Sequence, residues 1–203
     1  MQVPNDAEVS GRILALASKK GIIRPKDLAK LDASREMLRY LSKKGLMEHV
    51  GRGLYRLPGH LTEHESLLMA SALVPQGILC LLTALRFHEI GTQEPFAVWM
   101  ALPPKAWRPR IQAPELRIVR YSGTALTEGV EEHRVPGGRL RVYSSAKTVV
   151  DTFKYRNKIG LDVALEALRE CLMDKKATID QLWHFAGVCR VQRVMRPYLE
   201  ALT

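Results

Sequence analysis

Residues 34–57 read SREMLRYLSKKGLMEHVGRGLYRL, and the parsing of this stretch decides the fold of the N-terminal third of the chain. Ser34 offers a hydroxyl suited to an N-cap and Gly45 the conformational freedom that ends a helix, so the spacing predicts a helix over 35–44. Leu38 and Leu41, with Met37 beside them, form its apolar side. Arg35, Arg39 and Ser42/Lys43 recur at i, i+4 and i+7/i+8 and share the opposite side. Beyond Gly45 the pattern changes to two short extended runs, 46–50 and 54–57, separated by Gly51-Arg52-Gly53. Glycines at such a tip supply the positive φ angles of a hairpin turn, and they leave the Arg52 side chain little to pack against.

The residues upstream complete a unit. Val9, Ile13, Leu14, Leu16 and Ala17 place an apolar stripe on a helix over 8–20, which Gly21 stops. Ile22-Ile23 is a short extended piece. Pro25 opens a short helix over 25–31, where its missing N–H is no loss, and Leu28 and Leu31 give that helix an apolar face. Asp32-Ala33 makes a tight turn into the next helix. Helix, short helix, turn, helix and hairpin is the order of a winged helix-turn-helix, predicted as a domain over 1–58 that closes at Pro58-Gly59.

In that arrangement the third helix presents its N-terminal residues to base edges in the major groove. Ser34, Arg35 and Arg39 are the candidates for this, because an arginine fork can bond guanine O6 and N7 together. Ser42 lies on the same side; Lys43 and Lys44, further along, suit phosphates. Arg52 at the hairpin tip is free to reach a minor groove or a phosphate, with Tyr55 and Arg56 on the return strand. Arg24 and Lys26 stand at the start of the second helix, a common place for phosphate contacts. The expected partner is double-stranded DNA; a plain solvated basic face is the alternative reading.

Bulk composition agrees. The 203 residues carry a formal net charge of +10, which favours a polyanionic partner. Residues 1–60 hold 12 Lys+Arg against 6 Asp+Glu, so the first third carries more than half of the excess. No apolar run approaches the roughly 18 residues of a membrane span. The polar start, with Asp6 and Glu8, lacks the layout of a signal peptide, so a cytoplasmic protein without membrane association is expected. Cys80, Cys171 and Cys189 are widely spaced and form no C-x-x-C pair; they read as buried, inert thiols.

Residues 59–203 read as an α+β domain ending in helices, so the whole chain is α+β. Helices are predicted over 62–73, 78–89, 145–155, 161–173, 179–186 and 191–202, with strands over 96–102, 116–121 and 140–143 and a turn at Pro136-Gly137-Gly138. Arg190, Arg193 and Arg196 recur every third residue and mark a possible second basic surface for DNA or a partner. Enzymatic patterns are thin. Ser144-Ser145-Ala146-Lys147 satisfies S-x-x-K but has no supporting signature and reads as a helix cap. His60 and His64 stand four apart, but His60 falls outside the helix that Thr62 would cap, which argues against a shared metal. A nuclease-like second domain is the main enzymatic alternative, and Asp151 with Lys154, or Asp174-Lys175-Lys176, are its only candidates. No catalytic group, cofactor or metal site is assigned; an RNA-binding or scaffold protein is a further alternative.

The run Asp27-Leu28, Ser34-Arg35, Leu38, Leu41, Gly45-Leu46 and Gly51-Arg52-Gly53-Leu54-Tyr55-Arg56 resembles the AbiEi family, the antitoxins of type IV abortive-infection toxin–antitoxin systems. Thr83-Ala84-Leu85, His88, Gly91-Thr92-Gln93 and Ala146-Lys147-Thr148-Val149-Val150-Asp151 are similar to segments of that family's second domain. The resemblance implies a repressor that binds repeats in the promoter of its own operon through its N-terminal domain. It further implies a second domain needed to neutralise a nucleotidyltransferase-like toxin, with direct toxin contact not required. An orphan transcriptional regulator, without a toxin, is the alternative within the same class.

Overall fold

A computed structural model describes residues 6–51, 53–59, 64–107 and 114–202. The chain is α+β and divides into two compact units, Met1–Leu73 with Arg134–Leu140, and Val74–His133 with Arg141–Thr203. No helix among the described residues is long and apolar enough to cross a membrane.

In the first unit, α1 (Asp6–Lys20) turns Val9, Ile13 and Ala17 inward, as their spacing of four dictates, and all three are buried. The short helix expected over 25–31 is a 3-10 helix, Pro25–Leu31, and buries Leu28. Asp32, in the left-handed region at φ 49°, turns the chain into α2 (Arg35–Lys43). Leu38 and Leu41 on α2 are fully buried. The hairpin β1 (Glu48–Gly51) and β2 (Leu54–Arg56) pairs antiparallel, Glu48 opposite Arg56 and His49 opposite Tyr55. The register shifts between His49 and Gly51, so the wing carries a bulge before its tip. Ile23 bridges to Tyr55 and ties the segment after α1 to the hairpin. Val9, Ile13, Ala17, Ile23, Leu28, Leu38, Leu41, Met47 and Tyr55 form one core, and α3 (Glu65–Leu73) completes the helices of the unit. Gly21 sits at φ +70°, so close to the Gly137 backbone of the 134–140 segment that any Cβ there would collide with it.

The second unit is built on a mixed sheet. The elements from residue 78 run β3 (Ile78–Leu79), α4 (Leu81–Phe87), β4 (Val98–Leu102), β5 (Leu116–Arg120), α5 (Thr124–Thr127), β6 (Val130–Val135) and β7 (Gly138–Tyr143), the last two strands sharing their 134–140 residues with the first unit. Five helices follow: α6 (Ser145–Lys154), α7 (Arg156–Ile159), α8 (Leu161–Met173), α9 (Ile179–Val188) and α10 (Gln192–Glu200). The five strands lie in the order β5-β4-β3-β7-β6, with β3 antiparallel to β4 but parallel to β7, and β4 parallel to β5. The sequence pattern predicted helix from residue 78; instead Ile78-Leu79 is the central strand and the helix starts at Leu81. A continuous apolar run has no period to separate a strand buried on both faces from a buried helix. Leu81, at φ 48°, makes the sharp bend between the two. The strand β6 and the short helix α5 were not expected either.

Helix α6 is the hub of this unit: every residue from Ala146 to Phe153 is buried, with α4, α8 and α9 packed around it. Its two threonine hydroxyls are satisfied locally, Thr148 donating to the Tyr143 carbonyl at 3.1 Å and Thr152 to the Val149 carbonyl at 2.6 Å. The three cysteines are free and buried, and burial raises the thiol pKa of each.

Candidate nucleic-acid interface

The outward side of α2 follows from its inward side. With Leu38 and Leu41 locked in the core, helical geometry turns Arg35, Arg39 and Lys43 to solvent, and all three are exposed. Ser34, the N-cap residue, is exposed as well, and Ser42 is half-buried at the edge of the face. Lys26, at the start of the 3-10 helix, is exposed. Tyr40 belongs to the same exposed side, 52% accessible, with the Lys44 ammonium 5.8 Å from its ring centre. Sequence reasoning passed over Tyr40; an aromatic one residue after Arg39, outside the apolar stripe, was the available signal. Glu36 is also exposed. Hydrogen bonds from its own backbone N–H and from Ser34, with the nearby Arg39 and Arg35 charges, hold its carboxyl below the usual range.

Other members of the sequence-predicted set are placed differently. Arg24 donates from Nη1 to the Ala72 carbonyl at 3.0 Å, and from Nε and its backbone N–H to the Asp27 carboxylate at 3.3 and 2.8 Å. Its guanidinium thereby holds the turn that starts the 3-10 helix. Burial pushes the Asp27 carboxyl up, but the Lys20 and Arg24 donors outweigh it and leave the group below its ordinary value. Tyr55 is 5% exposed, a core residue whose ring stands edge-on to His49 at 5.0 Å. Its backbone exchanges hydrogen bonds with Ile23 at 2.8 and 3.0 Å. Arg56 is clamped between carboxylates, its Nε 2.8 Å from Glu48 and its Nη1 bonded to Glu65. These three side chains are engaged inside the first unit, whereas the sequence grouped them with the DNA-facing residues. Arg52 and His60 lie outside the described residues.

Arg190 is not on the last helix. It sits at φ 59° in the turn before α10, while Arg193 and Arg196 are on α10 and exposed. The Arg196 guanidinium lies 5.8 Å from the Trp183 ring centre.

The residues considered for catalysis are also accounted for. Ser144 caps α6, its hydroxyl accepting from the Lys147 backbone N–H at 3.4 Å. The Lys147 ammonium instead bonds both Asp151 oxygens, at 2.7 and 2.6 Å, with both side chains at 0% exposure. It also stands 4.1 Å from the Tyr143 ring centre and 4.6 Å from that of Tyr121. The Cys189 thiol donates to Asp151 at 3.3 Å. Burial outweighs Lys147 and leaves the Asp151 carboxyl above its usual range. The Tyr121 hydroxyl is buried with no hydrogen-bond partner among the described residues. Asp174 ends α8 and pairs with Lys176 at 3.3 Å. The described residues contain no group of three or more His, Cys, Asp or Glu placed to hold a metal ion.

No curated protein matches the chain. Among solved structures, it resembles the RV2827C protein from Mycobacterium tuberculosis with a TM-score of 0.58 at 14% identity, covering 92% of this chain and 72% of that one. At such identity the likeness concerns the fold, and it places the α+β architecture among known ones. Residues 12–58, from within α1 to the end of the hairpin, are similar to the family model described as transcriptional regulator, AbiEi antitoxin, a match that covers under a quarter of the chain.

Proposed function

We propose that the chain is a DNA-binding transcriptional repressor that acts on repeats in its own promoter, and the antitoxin to a nucleotidyltransferase-like toxin that it neutralises without needing direct contact. The outward side of α2 carries the reading. Arg35, Arg39 and Lys43 are exposed together on a helix whose other side is buried, within a segment matched to antitoxin transcriptional regulators. Arg35 and Arg39 read base edges, Lys26 and Lys43 meet phosphates, and Arg52 anchors the wing. Repression belongs to the domain over 1–58, antitoxicity to the remainder, and both act in the cytoplasm. The protein needs no catalytic group for either role, and the nearest to a catalytic pair, Lys147 and Asp151, bind each other in the interior.

The test uses the full chain, its native upstream DNA and a mixed-sequence duplex at stated salt. Arg35→Ala or Arg39→Ala should lose about 1–3 kcal/mol on the operator and little on mixed-sequence DNA. Equal losses on both duplexes would remove the base-reading assignment. Arg39→Ala with Arg52→Ala should abolish operator binding yet still rescue growth when a co-expressed toxin is driven from a separate promoter. A folded double variant that fails to rescue would show that DNA binding is part of neutralisation.

A further inference from the structure

Helix α2 carries one acidic residue, Glu36, and it is exposed in the first turn. By helical spacing it follows Arg35 directly and neighbours Arg39 and Tyr40 at i+3 and i+4. Three other carboxylates of the first unit are paired: Asp27 with Lys20 and Arg24, Glu48 and Glu65 with Arg56. Glu36 forms no ion pair within 4 Å among the described residues, although two arginines stand on the same side of its helix. A fixed negative charge thus sits in the middle of the face that the proposed function turns toward a polyanion.

A carboxylate only accepts hydrogen bonds. Against phosphate it would be repelled, and at the N-terminal end of α2 it occupies the position a phosphate would favour. In the major groove, donors are the N4 amino group of cytosine and the N6 amino group of adenine. Adenine sets the N7 acceptor beside its amino group, an arrangement that suits an amide and repels a carboxylate. Cytosine offers N4–H with no acceptor of its own next to it.

We propose that Glu36 is a specificity-determining residue that accepts a hydrogen bond from cytosine N4, requiring a cytosine at one position of each operator repeat beside the guanines read by Arg35 and Arg39. The assignment rests on the DNA-binding reading of this domain. Its physical basis is that an ionised, unpaired carboxylate on a basic face is tolerated against DNA only where a base donor meets it. Ser34 and the Glu36 backbone N–H hold the carboxyl below its usual range at the start of the helix.

The experiment selects binding sites from a pool of randomised duplex DNA with the full-length wild type, Glu36→Ala and Glu36→Gln, followed by titration of single-substituted duplexes at fixed salt. Wild type should prefer cytosine at one position by about tenfold over the other bases. In E36A that position should become indifferent while the guanine positions persist. In E36Q the preference should move from cytosine to adenine, because an amide bonds adenine N6 and N7 together; unfolding cannot produce such a gain. The same selected motif from all three proteins overturns the proposal, as does a uniform tightening of E36A on every duplex, which would mark simple repulsion. If wild type enriches no motif at all, the DNA-binding reading of the domain fails, and the cytosine assignment with it.

Discussion

Replacing Lys147 with methionine would remove the ammonium from a pair in which both side chains have 0% exposure and the two N–O distances are 2.7 and 2.6 Å. The Asp151 carboxylate would keep the Cys189 thiol at 3.3 Å but lose the one cation bonded to it among the described residues. Breaking a buried pair from one side costs about 3–5 kcal/mol, a large part of the roughly 5–15 kcal/mol that holds a domain folded. The contacts of the ammonium with the Tyr143 and Tyr121 rings are lost with it. Removing both charges, as Lys147→Met with Asp151→Leu, leaves no buried charge behind, so the double variant should be more stable than K147M alone.

The readout for this variant is built in. All three tryptophans, Trp99, Trp107 and Trp183, belong to the second unit, so tryptophan fluorescence during urea unfolding of the full chain follows that unit alone. The pH dependence has a definite sign. Burial raises the folded-state pKa of Asp151, so the native state holds this proton more tightly than the unfolded chain does. Stability from that group is complete below the unfolded carboxyl pKa and is lost as pH rises through the raised folded value. Without Lys147 the elevation grows, so the K147M deficit should be smaller near about pH 4 than at about pH 8. A K147M midpoint within about 1 kcal/mol of wild type, or a double variant less stable than the single, would refute the reasoning.

Two further outcomes test the first unit. Arg56→Ala should lower its thermal stability by about 1–3 kcal/mol, because the Glu48 and Glu65 carboxylates lose their partner, and leave the salt slope of DNA binding almost unchanged. Lys43→Ala should do the reverse, and a salt slope altered as much by R56A as by K43A would return Arg56 to the DNA-facing set. Gly21→Ala, at φ +70° with Gly137 in the way, should cost at least about 1–2 kcal/mol for the left-handed backbone alone. Limited proteolysis within residues 6–58 should accelerate; an unchanged cleavage rate would mean the close approach is readily relieved.

By itself, the sequence determined whatever depends on near neighbours. Helix α1, the 25–31 turn, α2 and the hairpin were legible from apolar spacing, Pro25, Ser34 and the glycines. So was the outward side of α2, because once Leu38 and Leu41 are inside, a period of 3.6 leaves Arg35, Arg39 and Lys43 no other direction. Helix α8 over Leu161–Met173 matched its predicted bounds for the same reason. The tertiary structure decided what depends on distant partners. Arg24, Tyr55 and Arg56 are polar or amphipathic residues that a local pattern assigns to the surface. Ala72, Ile23 and Glu65, brought in by folding, tie them into the unit. The spacing of Lys147 and Asp151 was visible as an i, i+4 pair, but such a pair is ordinarily a solvated one. Its burial follows from α4, α8 and α9 closing around α6, an outcome that local spacing does not encode. Ile78-Leu79 became a central strand for the same reason: β4 and β7 pair with it from 21–23 and 63 residues further along the chain, and no periodicity within two residues can announce them.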